Sequence, residues 1–238
     1  MKKAIIIGAS SGIGREVAKI LSKDNYILGL AARRNELLVQ LQKELNTASC
    51  VKCIDISKHE EAISQLIELI DEMENVDLIV ITSGTGYINN ELDWDKEKET
   101  IDVNVSGVTA MINISLKYFM ERKAGHLVVI SSIAALRGSG ICPAYNASKA
   151  YISNYLEGIR CKVKKNKIDL TITDIRPGLI DTEMAKGEGL FWVQSPQKAA
   201  YQIYKKIKQK KDIVYITKRW HIVALILKHM PNWIYYKQ

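Results

Sequence analysis

Lys3-Ala4-Ile5-Ile6-Ile7-Gly8-Ala9-Ser10-Ser11-Gly12-Ile13-Gly14 is the stretch that decides the fold. An apolar run at residues 4–7 meets three glycines, and residues 12–21 then carry Ile13, Val17, Ile20 and Leu21 at helical spacing. The pattern is strand, glycine turn, helix. Glycines let the turn be tight and let backbone approach a pyrophosphate, whose charge the free N–H groups of a helix start favour. A glycine turn alone is weak; between a strand and a helix it points to nucleotide binding.

Working outward, the alternation continues. Residues 26–32, 51–56, 78–82, 127–131 and 170–175 read as buried strands. Helical stretches separate them at 36–45, 60–73, 94–122 (in more than one piece) and 144–164, and Ser195-Pro196 starts another. Near-continuous apolar strands joined by amphipathic helices imply a parallel sheet covered on both faces. The expected fold is α/β: a Rossmann-type doubly wound parallel sheet in a single domain, residues 1–217, with a C-terminal amphipathic helical extension, residues 218–238. Ligands of such folds bind beyond the carboxyl ends of the strands.

Bulk properties agree. The chain has 238 residues, enough to bury a core without disulfides or metal. Its apolar N-terminal run is too short for a signal peptide, and no stretch reaches the roughly 18 apolar residues of a membrane span. A cytoplasmic location is expected. Cys50 and Cys53 form C-x-x-C inside an apparent strand, where residues three apart face opposite ways, so no metal site is expected. The net charge of +8 is uneven: residues 198–238 hold ten Lys/Arg against one acid, Asp212. No recognised nucleic-acid module accompanies this, and no nucleic-acid partner is expected.

The end of the second strand reads Ala31-Ala32-Arg33-Arg34 and offers no carboxylate. An acid there would bind the ribose 2′-hydroxyl of NAD and repel a 2′-phosphate, whereas a guanidinium pairs with that phosphate. The expected cofactor is NADP(H), with Arg33 the main contact and Arg34 a second.

Tyr145-Asn146-Ala147-Ser148-Lys149 lies near the start of a helix, and spacing of four puts Tyr145 and Lys149 on one face. A nearby ammonium is expected to lower the tyrosine pKa from about 10 toward working pH. With Asp55 after the third strand, Asn104 in Asp102-Val103-Asn104-Val105, Ser131-Ser132 after the fifth, and Pro177-Gly178-Leu179-Ile180-Asp181-Thr182 after the sixth, the chain resembles the short-chain dehydrogenase/reductase family over residues 3–217.

The resemblance implies roles. Tyr145 would donate a proton to a carbonyl oxygen as hydride reaches carbon, and Ser132 would stabilise that oxygen. Lys149 would tune Tyr145 and hold the nicotinamide ribose, and Asn104 would position a proton-relaying water. The cofactor would lie along Gly8, Ser10, Ser11, Gly12, Ile13, Gly14, Asp55, Ile56, Gly84, Pro177, Gly178, Ile180 and Thr182. Ser131 is the bystander of the serine pair, since neighbours on a strand face opposite ways. Two departures stand out. Thr82-Ser83-Gly84-Thr85-Gly86 replaces the family's Asn-Asn-Ala-Gly, and the asparagine's bracing hydrogen bonds should be lost. The family's glycine-rich end after the seventh strand is replaced by Ile213-Val214-Tyr215-Ile216-Thr217-Lys218-Arg219-Trp220.

Leu136, Cys142, Met184, Phe191 and Trp192 are expected to line an apolar substrate site, with residues 179–195 as its lid; Arg137 is read as solvated in preference to an anion contact. The activity expected is an NADP(H)-dependent oxidoreductase exchanging hydride with a small-molecule carbonyl or alcohol, such as an apolar aldehyde or ketone. The alternatives are an NADP(H)-sensing binding protein without chemistry, and a peripheral reductase of lipidic substrates at the inner face of a membrane. In the tail, Trp220, Val223, Leu227 and Met230 recur at helical spacing up to Pro231. The favoured reading packs this helix on the body or on a second subunit of a homodimer or homotetramer, and the weaker one lays it on a membrane surface.

Overall fold

Lys3–Ile7 (β1) lies inside a seven-stranded sheet in the computed structural model, which describes residues 1–183 and 192–236. Along the chain follow Gly12–Lys23 (α1), Ile27–Ala32 (β2), Asn35–Glu44 (α2), Ser49–Cys53 (β3), His59–Met73 (α3) and Leu78–Ile81 (β4). Then come Trp94–Ile101 (α4), a π-helical stretch Asp102–Gly107, Val108–Arg122 (α5), Ala124–Ile130 (β5), a 3₁₀ turn Ile133–Leu136 and Pro143–Lys165 (α6). Asp169–Pro177 (β6), Pro196–Lys208 (α7), Ile213–Ile216 (β7), Lys218–His229 (α8) and Asn232–Tyr235 (α9) complete it. The strand order is β3-β2-β1-β4-β5-β6-β7, and every pairing is parallel.

Period-two alternation explains why the strands are apolar throughout. Ile5, Ile7, Ile79, Ile81, Leu127 and Val129 face α3, α5 and α6, while Ala4, Ile6, Leu28, Leu30, Val80 and Val128 face α1, α2 and α7. Ile5 and Ile6 are both fully buried, a gain of about 1.5–3 kcal/mol each. Cys50 packs against the first of these cores and Cys53 is exposed, as opposite strand faces require.

Because β1 pairs with β2 on one side and β4 on the other, the chain direction of winding reverses between β1 and β4. That reversal opens a crevice at the carboxyl ends of those two strands. One expectation is corrected: residues 213–216 do not lie beyond the seventh strand but are that strand, paired with β6 from Asp174↔Ile213 to Pro177↔Ile216. The helix α8 follows almost at once. Its Trp220 is buried against Gly178, where an added Cβ would fall 2.1 Å from the indole. The extension is thus packed on the sheet unit.

Candidate active site

The glycine turn is pressed onto the end of β4. Gly8 has φ +97°, and a Cβ there would lie 2.5 Å from Thr82 Oγ1 and 2.7 Å from the Ser83 nitrogen. Only glycine adopts this backbone in this space without strain. Thr82 Oγ1 lies 3.0 Å from both the Ile7 and the Gly8 carbonyl oxygens, to which it donates. The bracing expected to be lost with asparagine is therefore supplied by a threonine hydroxyl.

α1 opens at Gly12, and its extended N-cap residue, Ser11, makes no side-chain cap. The Ser11 hydroxyl instead accepts from Arg34 Nη2 at 2.6 Å, and Ser10 Oγ lies 3.4 Å from the same nitrogen. The first N–H groups of α1 are left free of a side-chain cap, as an anion site needs. Arg34 Nη1 also pairs with Glu183 at 2.9 Å. Of the two arginines expected to select the cofactor, Arg34 is therefore the one that reaches the turn, while Arg33 is exposed beside it. An open cleft of about 460 Å³ runs along Ser11, Gly12, Asp181, Thr182 and Glu183. Thr182 lies against Gly12, Gly14 is buried behind the turn with Ile13 packed on its core, and Ile180 bridges to Gln194. Asp55 caps its own turn by accepting from Ser57 N and Oγ, and the Ile56 side chain is in the core.

At the end of β5 the serine pair divides. Ser131 is buried and its hydroxyl donates to Asp174, a fully buried carboxylate that Arg176 Nε meets at 2.7 Å. Ser132 points the other way, accepts from the Ala134 nitrogen at 3.1 Å and pairs with the Tyr145 phenol. Tyr145 packs over Gly86, and Lys149 Nζ lies 5.6 Å from the centre of its ring. Lys149 is buried and donates to the Ile130 carbonyl at 3.3 Å, with donor capacity to spare. A Cβ on Gly84 would stand 3.2 Å from both Lys149 Nζ and Asn104 Oδ1.

The electrostatics correct one expectation. Burial raises the Tyr145 pKa; the Ser132 hydrogen bond pulls it down and Cys142 adds to the rise. Burial also brings Lys149 down to about 8, against the attraction of Asp174. In the chain by itself, desolvation of the phenol outweighs the pull toward the phenolate.

Asn104 is fully buried in the π-helical stretch, a deviation frequent at functional sites. Its Oδ1 accepts from Thr85 N at 2.8 Å, and its Nδ2 donates to Thr85 O at 2.7 Å and Ser148 Oγ at 3.0 Å. The side chain splints the segment after β4 to the helix that carries Tyr145 and Lys149.

On the substrate side, Leu136 ends the turn after Ser132, Cys142 precedes α6, and Trp192 stands edge-on to Trp220 at 6.3 Å. Met184 and Phe191 lie outside the described residues. Arg137 is not simply solvated: it donates to Met230 O at 3.2 Å and Asn232 Oδ1 at 3.1 Å and lies 4.5 Å from the centre of the Tyr235 ring. Sequence reasoning missed this clamp, the Thr82 brace and the Asp174–Arg176 pair. A signal existed for the last, since Asp174 and Arg176 stand two apart on one face of a strand.

The comparisons meet this geometry. A model of the short chain dehydrogenase family matches residues 2–190. An uncharacterised oxidoreductase of Myxococcus xanthus is 33% identical over 188 residues, covering 77% of this chain and 74% of that protein. Among solved structures, a short chain dehydrogenase from Burkholderia cenocepacia in complex with NADP has a TM-score of 0.84 at 19% identity, covering 100% of this chain and 98% of that one. An alcohol dehydrogenase from the archaeon Thermococcus sibiricus, complexed with 5-hydroxy-NADP, has a TM-score of 0.79 at 24% identity, with 91% and 95% covered. A seven-stranded doubly wound sheet, a glycine turn at its switch point and a serine–tyrosine–lysine group beside it thus have one common explanation: the chain is an oxidoreductase of the short-chain dehydrogenase family.

Proposed function

We propose that the protein uses NADP(H) to exchange hydride with a carbonyl/alcohol pair. The observation that carries this is the convergence of Ser132, Tyr145 and Lys149 at the carboxyl end of β5, with Tyr145 over Gly86 and Lys149 beside Gly84. A reduced nicotinamide bound beside these residues would supply the hydride for reduction of a carbonyl carbon. Tyr145 gives its proton to the oxygen, which converts C=O to CH–OH, and Ser132 donates a hydrogen bond to the same oxygen as charge develops. The spare N–H groups of Lys149 would hold the ribose hydroxyls. Asn104 acts here as the splint that keeps Tyr145 and Lys149 aligned with the segment after β4.

The residues fit a dinucleotide. The uncapped start of α1 suits its pyrophosphate, Arg34 and Arg33 suit a 2′-phosphate, and an open cleft runs along Gly12 and Thr182 beside them. The NADP of the Burkholderia structure and the 5-hydroxy-NADP of the Thermococcus one support the choice. The test is oxidation of NADPH and of NADH across soluble and long-chain aldehydes and ketones. NADPH should be preferred, and Tyr145→Phe should lose turnover while still binding NADPH. Equal use of both cofactors would reject the 2′-phosphate reading; full turnover by Tyr145→Phe would reject the proton donor.

A further inference from the structure

The helix α8 is apolar on two sides. Trp220, Val223, Ala224 and Leu227 form its inner side, with Trp220 and Ala224 buried. The outer side carries Ile222, Leu225 and Ile226, which are 60%, 51% and 53% exposed. At spacings of three and four these side chains adjoin, so they make one crest and not scattered surface residues. A helix apolar on both sides calls for cover on both.

Charge identifies the cover. Residues 213–238 contain four Lys/Arg and no Asp or Glu. Arg219 and Lys228 are exposed on the flanks of the crest. A two-fold contact between two copies would set these cations against one another. An anionic lipid surface accepts both features, with the crest in the headgroup–acyl boundary and the cations on phosphates. We propose that the outer face of α8 docks the protein on anionic lipid bilayers.

The docking also names a substrate class. α8 packs on the 3₁₀ turn that follows Ser132, and Asn232 and Tyr235 of α9 hold Arg137 at the end of that turn. A docked helix pair therefore brings the substrate side of Ser132 and Tyr145 to the lipid, where the substrate is a carbonyl on a chain that partitions into the bilayer. This second step rests on the proposed function; the docking does not.

The experiment is co-sedimentation of the full chain with phosphatidylcholine vesicles, alone or mixed with phosphatidylglycerol. The protein should sediment with the mixed vesicles only. Lys228→Glu should weaken this by roughly tenfold or more, and Leu225→Glu/Ile226→Glu should abolish it with an unchanged melting temperature. Failure of the wild type to sediment, equal sedimentation of the double variant, or a wild-type dimer that the double variant splits would each overturn the docking. A vesicle-embedded long-chain aldehyde should be reduced faster by the wild type than by the double variant, with a short soluble aldehyde unaffected. Equal rates on both would overturn the substrate class alone. Vesicle binding without turnover on any carbonyl would uphold the docking and reject the proposed function.

Discussion

The hydroxyl of Thr82 donates to the carbonyl of Gly8 and ties the end of β4 to the turn after β1. A single proton shared between the Ile7 and Gly8 oxygens fixes the turn's height above the sheet. Thr82→Val keeps the shape and removes the bond. It should cost about 1 kcal/mol in urea denaturation and weaken NADPH binding several-fold by fluorescence titration. Wild-type affinity in the variant would mean that the turn is held by packing alone.

Arg34 is shared between Ser11 and Glu183. The pair with Glu183 is exposed and worth little to stability, but a carboxylate beside Arg34 competes with a 2′-phosphate. Glu183→Gln should therefore tighten NADP(H) binding two- to fivefold or so and leave NAD(H) unchanged. Arg34→Ala and Arg33→Asp should each reduce the NADPH-to-NADH preference, and calorimetry on the four proteins ranks the two arginines. A Glu183→Gln variant that binds NADP(H) no more tightly than the wild type would remove Glu183 from the selection.

The Asp174–Arg176 pair sits directly behind the catalytic end of β5, through Ser131. Removing one partner strands the other in the interior. Asp174→Asn should cost roughly 3–5 kcal/mol, and Asp174→Leu/Arg176→Leu should recover much of that loss. If the single variant melts like the wild type, the pair contributes nothing net.

These cases show what the sequence could and could not disclose. Strands were legible because residues buried on both faces leave runs such as Ala4–Ile7 almost wholly apolar, and the glycine turn and Tyr145–Lys149 spacing are local. Thr82 was misjudged because its bond runs across 74 positions of chain to Gly8. Arg137 looked solvated because its partners, Met230 and Asn232, are over 90 positions away. The direction of the Tyr145 pKa was missed for a related reason: spacing shows the lysine, whereas desolvation depends on everything packed around both groups.

Lys149 gives the pH profile of the free protein. Its pKa of about 8 means that the ammonium is lost in the fold well below its ordinary 10.5. The reduction kcat/KM should be level below about pH 8 and fall above it, as Lys149 and then Tyr145 lose their protons. Lys149→Arg should move the fall to higher pH. A wild-type profile still level at pH 10 would show that the lysine charge is not required.

His126 should make the fold acid-sensitive. Burial, with a smaller push from Lys210, lowers its pKa from 6.5 to about 4. Thr173 donates its hydroxyl proton to Lys211 O at 2.7 Å, so it must accept from His126 Nε2 at 2.8 Å, and the neutral ring carries its hydrogen on Nε2. As pH falls below 6.5 the unfolded chain takes up a proton that the fold refuses. Stability is thus intact above 6.5 and lost progressively down to about 4, by about 3 kcal/mol in all. Below that both states are protonated and this loss stops. His126→Gln retains an amide donor for Thr173 and does not titrate. The urea midpoints of the two proteins, measured from pH 7.5 to 4.5, should diverge in the acid range, with the wild type falling more steeply. Parallel curves would show that His126 is already protonated in the fold, or accommodated there at no cost.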